Sequence, residues 1–356
     1  MKLGENSNIE ISGINLEQGF IPTVADMNGI DKSKYKLVPI GCFACNLMHI
    51  GRDVKIPLAY NDTDKNIAVS PAYYVFKIKE SEKENILGYY LEILLTRNEF
   101  GRLTWFHTDS SIRGNLLVSE FCDIQIPLPS IEVQRELVAT YNGLKALAEQ
   151  NEALIKPLTE ACQAYIVDCK KKYPEVELGG YINVYDRINI NAKKLPFCGI
   201  NKDKTFMPTV ANTNELDNSK YKIVEKDVFV FSGMQTGRDV CIRLALYNKE
   251  EPILVSPAYT TFVVKDKSEI LPEYLFIQFN RFQMDRYGWF LSDGSIRSNL
   301  DWSEFCRIQI PLPPPEVQQA IVNLYNCAEE AKNIANEARE KMKILCPALV
   351  QRAINK

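Results

Sequence analysis

The chain has 356 residues, enough for about two domains with a genuine core each, which excludes a disulfide-stapled miniprotein. Hydrophobic residues make up 46% and charged residues 24%, so wholesale disorder and fibrous repeats are excluded, and no apolar run has the length to cross a bilayer. A net charge of −3 offers no whole-molecule attraction to a polyanion, so any nucleic-acid contact must rest on a local positive field.

The opening MKLGENSNIEISGIN lacks the basic-then-apolar plan of a signal peptide, and a cytoplasmic protein is expected. Ten cysteines are scattered, most of them in apolar strand-like or helical stretches, and are read as reduced and buried. With His49 and His107 the only histidines, a histidine-based metal site or catalytic triad has little to build on.

Taken along the chain, the sequence repeats itself. GINLEQGFIPTVADMNGIDKSKYKLV (13–38) matches GINKDKTFMPTVANTNELDNSKYKIV (199–224), and at the same offset GRDV recurs (51–54 and 237–240), as does VSPAY (69–73 and 255–259). After a two-residue deletion beyond Lys79, WFHTDSSIRGNL matches WFLSDGSIRSNL, and SEFCDIQIPLPSIEVQ matches SEFCRIQIPLPPPEVQ. Roughly half of the aligned positions are identical, and the period far exceeds the about 20–50 residues of solenoid repeats. The chain is a duplicated domain.

The front part of each copy mixes β-rich runs, YYVFKIK (73–79) and TTFVVK (260–265), with turn clusters such as YNDTDKN. Between them, ILGYYLEILLTRNEF and ILPEYLFIQFNRFQM space their apolar residues as a helix does. Each front part is therefore α+β.

The rear part of each copy begins after IPLP. From 131 to 172, Leu137, Tyr141, Leu144, Ala148, Ile155, Leu158, Cys162, Ile166 and Cys169 recur at steps dominated by three and four, the mark of an amphipathic helix. Residues 314–356 repeat the plan with Ile321, Tyr325, Ile334, Met342, Leu345 and Leu349. Glu132 and Glu316 stand where the first turn favours a carboxylate. Forty residues make a rod of about 60 Å, and two rods with one apolar stripe each are expected to pair antiparallel. Pro157 and Pro347 predict a kink or break, since an interior proline costs about 3 kcal/mol.

The expected fold is α+β: two similar globular domains (1–130 and 174–313) separated by two long antiparallel helices (131–173 and 314–356) under an approximate twofold axis. One asymmetry stands out. LGGYINVYDRININAKKLPFC leads into the second GIN, whereas only MKLGENSNIEIS leads into the first, so the first domain is expected to lack the opening strand and turn of the second.

The order of globular part, IPLP-x2-E-x-Q helix, second globular part and second IPLP-x2-E-x-Q helix resembles the specificity (S) subunit of type I restriction-modification systems. The resemblance runs over nearly the whole chain and rests on FIPTVA, DKSKYKLV, GRDV, VSPAYYVFK, SDGSIRSNL and both helix junctions in their repeated order. It implies two target-recognition domains, each reading half of a split double-stranded DNA target in the major groove, without catalysis or cofactor of their own. It further implies helices that set the half-site separation and dock two modification (methyltransferase) subunits, which bring S-adenosylmethionine, with a restriction subunit adding ATP-driven translocation and cleavage.

Cys42-Phe-Ala-Cys45 has the C-x-x-C form of a redox or zinc site, but its counterparts are Val228 and Phe231, so a strand core is expected. Cys122 and Cys306 are read the same way. His49 aligns with Gln235 and His107 with Leu291, which removes any shared general base. Ser70-Pro-Ala-Tyr73 and Ser256-Pro-Ala-Tyr259 are similar to the Asp/Asn/Ser-Pro-Pro-aromatic motif of amino-methyltransferases, yet the second proline and a Gly-x-Gly cofactor turn are missing, so a buried tyrosine at a strand start is expected.

Arg52 and Arg238 in GRDV, and Arg113 and Arg297 beside Ser111 and Ser295, are the candidates for DNA contact, because arginine grips a phosphate or pairs bidentately with guanine. Their presence in both copies favours a shared role such as phosphate positioning, and structural ion pairs such as Arg52 with Asp53 are the plainer alternative. Asn46-Leu-Met48-His49 against Ser232-Gly-Met234-Gln235 is the divergent stretch beside a shared motif, where base-specific contacts are expected. Lys32, Lys34, Lys36, Lys220 and Lys222 form a small basic face that suits either the DNA backbone or solvent. A cytoplasmic DNA-recognition adaptor is the reading that results. The alternatives are an N6-adenine DNA methyltransferase fragment, or an assembly protein that uses its helices and does not read DNA.

Overall fold

The computed structural model describes residues 9–15, 19–23, 31–48, 50–109, 114–209 and 217–354. The chain divides into two compact units, Met1–Gln150 with Ile334–Lys356, and Asn151–Asn333. Each is built to the same plan, as the repeat requires.

The first unit opens with the hairpin β1 (Ser12–Ile14) and β2 (Phe20–Pro22), then β3 (Lys36–Val38), β4 (Phe43–Cys45), the single turn α1 (Ile50–Asp53), β5 (Leu58–Tyr60), β6 (Ile67–Val69) and β7 (Tyr74–Phe76). Helices α2 (Gly88–Leu95), α3 (Asn98–Phe106) and α4 (Val118–Asp123) follow, and α5 (Ile131–Lys172) leads towards the second unit. There the order is β8 (Glu175–Glu177), β9 (Ile182–Val184), β10 (Cys198–Ile200), β11 (Phe206–Pro208), β12 (Lys222–Val224), β13 (Phe229–Ser232), α6 (Thr236–Asp239), β14 (Arg243–Leu246), β15 (Ile253–Val255) and β16 (Thr260–Val264). It closes with α7 (Pro272–Phe279), α8 (Phe282–Leu291), α9 (Trp302–Cys306), β17 (Gln309–Pro311) and α10 (Pro315–Ile354).

The central strands carry the cores. In the second unit, β13 lies between β14 and β16 in a four-stranded antiparallel sheet ordered β14-β13-β16-β9. Phe229 and Phe231 face α7, α9 and the long helices, while Val228 and Val230 face the layer of β12 and β15. The first unit's sheet has three strands, β5-β4-β7. A counterpart of β9 is absent among the described residues, and the exposed Lys77 stands where β16 carries Val263.

Within the second unit the end of α5 and the start of α10 run antiparallel. β8, just after α5, pairs with β17, just before α10, and the Cys162 thiol approaches the Ile321 carbonyl at 3.9 Å farther along. Cys162, Ile166 and Cys169 share one buried cluster with Ile321 and Val322. The glutamine of each IPLP-x2-E-x-Q junction fixes this attachment. Gln318 is buried, accepts from Leu271 N–H at 2.8 Å, and donates to the carbonyls of Glu269 and Pro313 at 2.8 Å each. Gln134 repeats the set with Leu87, Asn85 and Pro129.

Three expectations are corrected. The long helices run without a break through Pro157 and Pro347, since one proline removes only one of many ladder bonds. Each stretch expected as one helix is two: Arg97 and Arg281 adopt extended backbone and separate α2 from α3 and α7 from α8. The nine described cysteines are free thiols, but Cys122 and Cys327 are exposed, lying on outward helix faces. Among the described residues, no helix is long and apolar enough to cross a membrane.

Candidate nucleic-acid interface

In the second unit the divergent stretch and the GRDV motif form one turn between two central strands. Gln235 and Val240, with φ of 60° and 47°, bracket the four-residue α6. Left-handed backbone is unfavourable for any side chain and most so for a β-branched one, and Lys204 and Ser298 nearby share it. Such strain persists only where the surroundings over-determine it. Here they do: Leu300 N–H donates to the Gly233 carbonyl at 2.8 Å, Gly237 N–H to the Ser298 carbonyl at 2.9 Å, and Gln235 N–H to Asn299 Oδ1 at 3.1 Å.

The 293–299 loop is closed on itself by Asp293, which accepts from the Ser295 hydroxyl at 2.6 Å, the Ser295 N–H at 3.2 Å and the Asn299 N–H at 3.0 Å. The Ser295 hydroxyl, followed by the Asn299 and Ser295 amides, holds the Asp293 carboxyl below its usual range. Where the first unit is described, the lacing is the same: Asn115 N–H meets Asp109 Oδ1 at 3.0 Å, and Leu116 N–H meets the Leu47 carbonyl at 2.9 Å.

The charges converge on Asp239. Its buried carboxylate is paired with Arg243, with Lys202 Nζ at 3.2 Å and with Arg238 Nε at 3.4 Å. Burial raises its pKa, but Lys202 and Arg243 outweigh burial and hold the carboxyl low. One anion thus faces three cations, leaving a positive field on a chain that is net acidic. Arg238 is 59% exposed and rests its Nη2 on Gln235 Oε1 at 2.9 Å. An ion pair this open is worth about 1 kcal/mol or less, which leaves the guanidinium free to exchange partners. Arg297 is exposed and forms no ion pair among the described residues.

Helix α8 is fastened beneath by a buried pair. Lys204 Nζ lies 2.6 Å from Asp285 Oδ1 and 2.8 Å from the Ile242 carbonyl, and Asp285 Oδ1 also accepts from Ile242 N–H at 2.9 Å. The first copy has Gln18 and Gly101 at these positions. Nothing in the periodicity of the sequence signalled this pair.

The other candidate residues fall out as follows. Met48 and Met234 are exposed. Ser232 is buried at the end of β13, and the amide oxygen of half-buried Asn46 accepts from Met48 N–H at 2.9 Å. The serine at 295 shapes its loop. His49, Ser111 and Arg113 lie outside the described residues, as does the side chain of Arg52. Lys36 and Lys222 are not part of a free basic face, for each donates to the carbonyl of the VSPAY tyrosine, Tyr73 at 2.6 Å and Tyr259 at 2.8 Å. The Tyr73 hydroxyl in turn accepts from Ile14 N–H at 3.2 Å, a structural role.

Cys42 and Cys45 enter different clusters, on opposite faces of β4, so one metal ion cannot take both. Burial, then the neighbouring Cys122 thiol, pushes Cys45 up to about 12, far from a reactive thiolate. Groups of acids, cysteines and histidines suited to a metal are absent among the described residues.

Residues 173–337 match the model of the type I restriction modification DNA specificity domain. No curated protein matches the chain. Among solved structures, the type I restriction-modification S subunit of M. genitalium is similar in fold at 13% identity and a TM-score of 0.62, covering 98% of this chain and 89% of that one. The HsdS subunit of Thermoanaerobacter tengcongensis is 17% identical with a TM-score of 0.35, covering 90% and 82%.

Proposed function

We propose that the chain, whose residues 173–337 match the type I restriction modification DNA specificity domain and whose first half repeats them, is a specificity subunit that reads a two-part target in duplex DNA. Each unit takes one half. Arg238 and Arg297 approach the phosphates or guanine edges, while Gln235 and Met234 meet base edges. In the first copy Arg52, Arg113, Met48 and His49 hold the same positions by the repeat.

Such a subunit carries no catalytic step. The reading places it in the cytoplasm, with two modification subunits on the long helices and a restriction subunit beyond them. The observation that carries it is the positive face around Asp239, where three cations share one carboxylate beside a rigid loop.

Titrating mixed-sequence duplex DNA into the full chain, with and without the modification subunit, at two salt concentrations tests the reading. Affinity that falls steeply with salt is expected. No affinity under any of these conditions contradicts it.

A further inference from the structure

Each unit exposes an aromatic pair in the last turn of one helix. Phe290 is 78% and Trp289 55% exposed, and Phe106 is 80% and Trp105 51% exposed at the matching positions. Beyond the second pair, Ile296 stands 100% exposed on the tip of the closed 293–299 loop. Single exposed hydrophobics are ordinary, but an adjacent exposed Trp-Phe pair at matching positions of both copies marks an interaction surface.

The group is rigidly mounted. A Cβ at Gly288 would lie 2.4 Å from the Ile242 side chain and 3.4 Å from that of Thr236 in α6, so α8 packs without clearance on the segment that follows α6, and the Lys204–Asp285 pair fastens it there. The aromatic turn thus sits close to Arg238. Arg286 and Arg297 are exposed without a carboxylate partner among the described residues, and the carboxylates of Asp239 and Asp285 are held by Lys202, Arg243 and Lys204; Asp293 is bound by its own loop, and in the first unit Glu120 lies 3.8 Å from His107, beside Phe106. In the first copy Arg102 stands at the position of Arg286. An apolar projection on a helix and loop that also carry the unpaired Arg286 and Arg297 suits a polyanion with an apolar interior better than it suits an apolar protein face.

We propose that Phe290, and Phe106 in the first unit, are wedges that enter a base step of the bound duplex while the flanking arginines hold the phosphates. Partial unstacking costs a few kcal/mol per step and is repaid by the contacts a bent duplex allows. This rests on the DNA-reading proposal and adds to it a deformation of the target. Trp289 and Trp105 then lie against the opened step, where stacking quenches indole fluorescence.

The three tryptophans make a direct test. Trp302 is packed among Phe231, Phe262 and Phe305 and stays silent, so quenching reports on the other two. The full chain is titrated with a mixed-sequence duplex labelled at both ends, reading affinity, fluorescence and end-to-end distance. The wild type is expected to quench and to bend the duplex. F106A/F290A is expected to bind about ten-fold more weakly or worse and to bend it no longer, with an unchanged melting curve, while F106L/F290L keeps most of the bend.

A double alanine variant that binds and bends as the wild type does overturns the wedge and leaves DNA reading intact. Unchanged DNA affinity with lost capture of the modification subunit overturns it in favour of a protein partner. A wild-type chain that binds no duplex in any condition overturns both readings.

Discussion

The Gly237 amide lies 2.9 Å from the Ser298 carbonyl, and a Cβ at Gly237 would fall 2.5 Å from the Ser298 Cβ. Neither atom is the end of a flexible side chain. G237A is therefore expected to push the 293–299 loop off α6 and cost about 1–3 kcal/mol. Ser298 holds a left-handed φ of 47°, and the first copy has Gly114 there with φ of 56°. S298G removes the clash and the strain together, so G237A/S298G should recover most of the loss in urea denaturation. A double variant no more stable than G237A would place the damage elsewhere.

Gln318, itself buried, satisfies three backbone groups at the root of α10, one of them buried and two half-buried. Q318L keeps the volume and removes every bond. We expect a loss of about 2–5 kcal/mol from the orphaned groups, and a similar loss for Q134L. Thermal denaturation with circular dichroism reads it, and a cost below about 0.5 kcal/mol, the ordinary effect of a surface change, would contradict the account.

Burial, helped by the nearby Asp62 carboxylate, raises Glu92 to about 7, while Lys145 and the Tyr60 amide act against the rise. The folded state therefore holds a proton that the unfolded chain releases near 4.5. The stability linked to this group is complete below pH 4.5 and is lost as pH climbs through about 7, at up to about 1.4 kcal/mol per pH unit. The second copy has Phe276 at this place. E92Q should flatten the profile of urea midpoints between pH 5 and 8, and an E92Q profile as steep as the wild type's would assign the titration to another group.

Arg238 and Arg297 are expected to act on phosphates. R238A and R297A should each weaken binding to all duplexes alike and lower the slope of log affinity against log salt by about 0.9. Capture of the modification subunit should be unchanged. A variant that alters base preference with an intact salt slope would make that arginine a base reader instead.

Much of the architecture was legible because duplication repeats local patterns: strand runs, the IPLP stop and the helical stripe each appear twice. Long-range partners were not legible. Nothing local to Lys204 announces Asp285, and nothing in IPLP-x2-E-x-Q says that its glutamine answers three backbone groups. Ser232 misled for a related reason: β13 is buried on both faces, so alternation could not tell an inward side chain from a presented one. The shared Trp-Phe pair was visible in both copies, but its exposure depends on which face of α3 and α8 the cores take up.

The central claim is that the two units are paired readers of one split DNA target, and their likeness at GRDV and the SIR loop predicts similar half-sites. Profiling adenine methylation in cells that carry this chain with its modification subunit tests it most directly. The account predicts a chain-dependent, two-part motif that is nearly palindromic; two unrelated half-sites, or methylation indifferent to this chain, would contradict it.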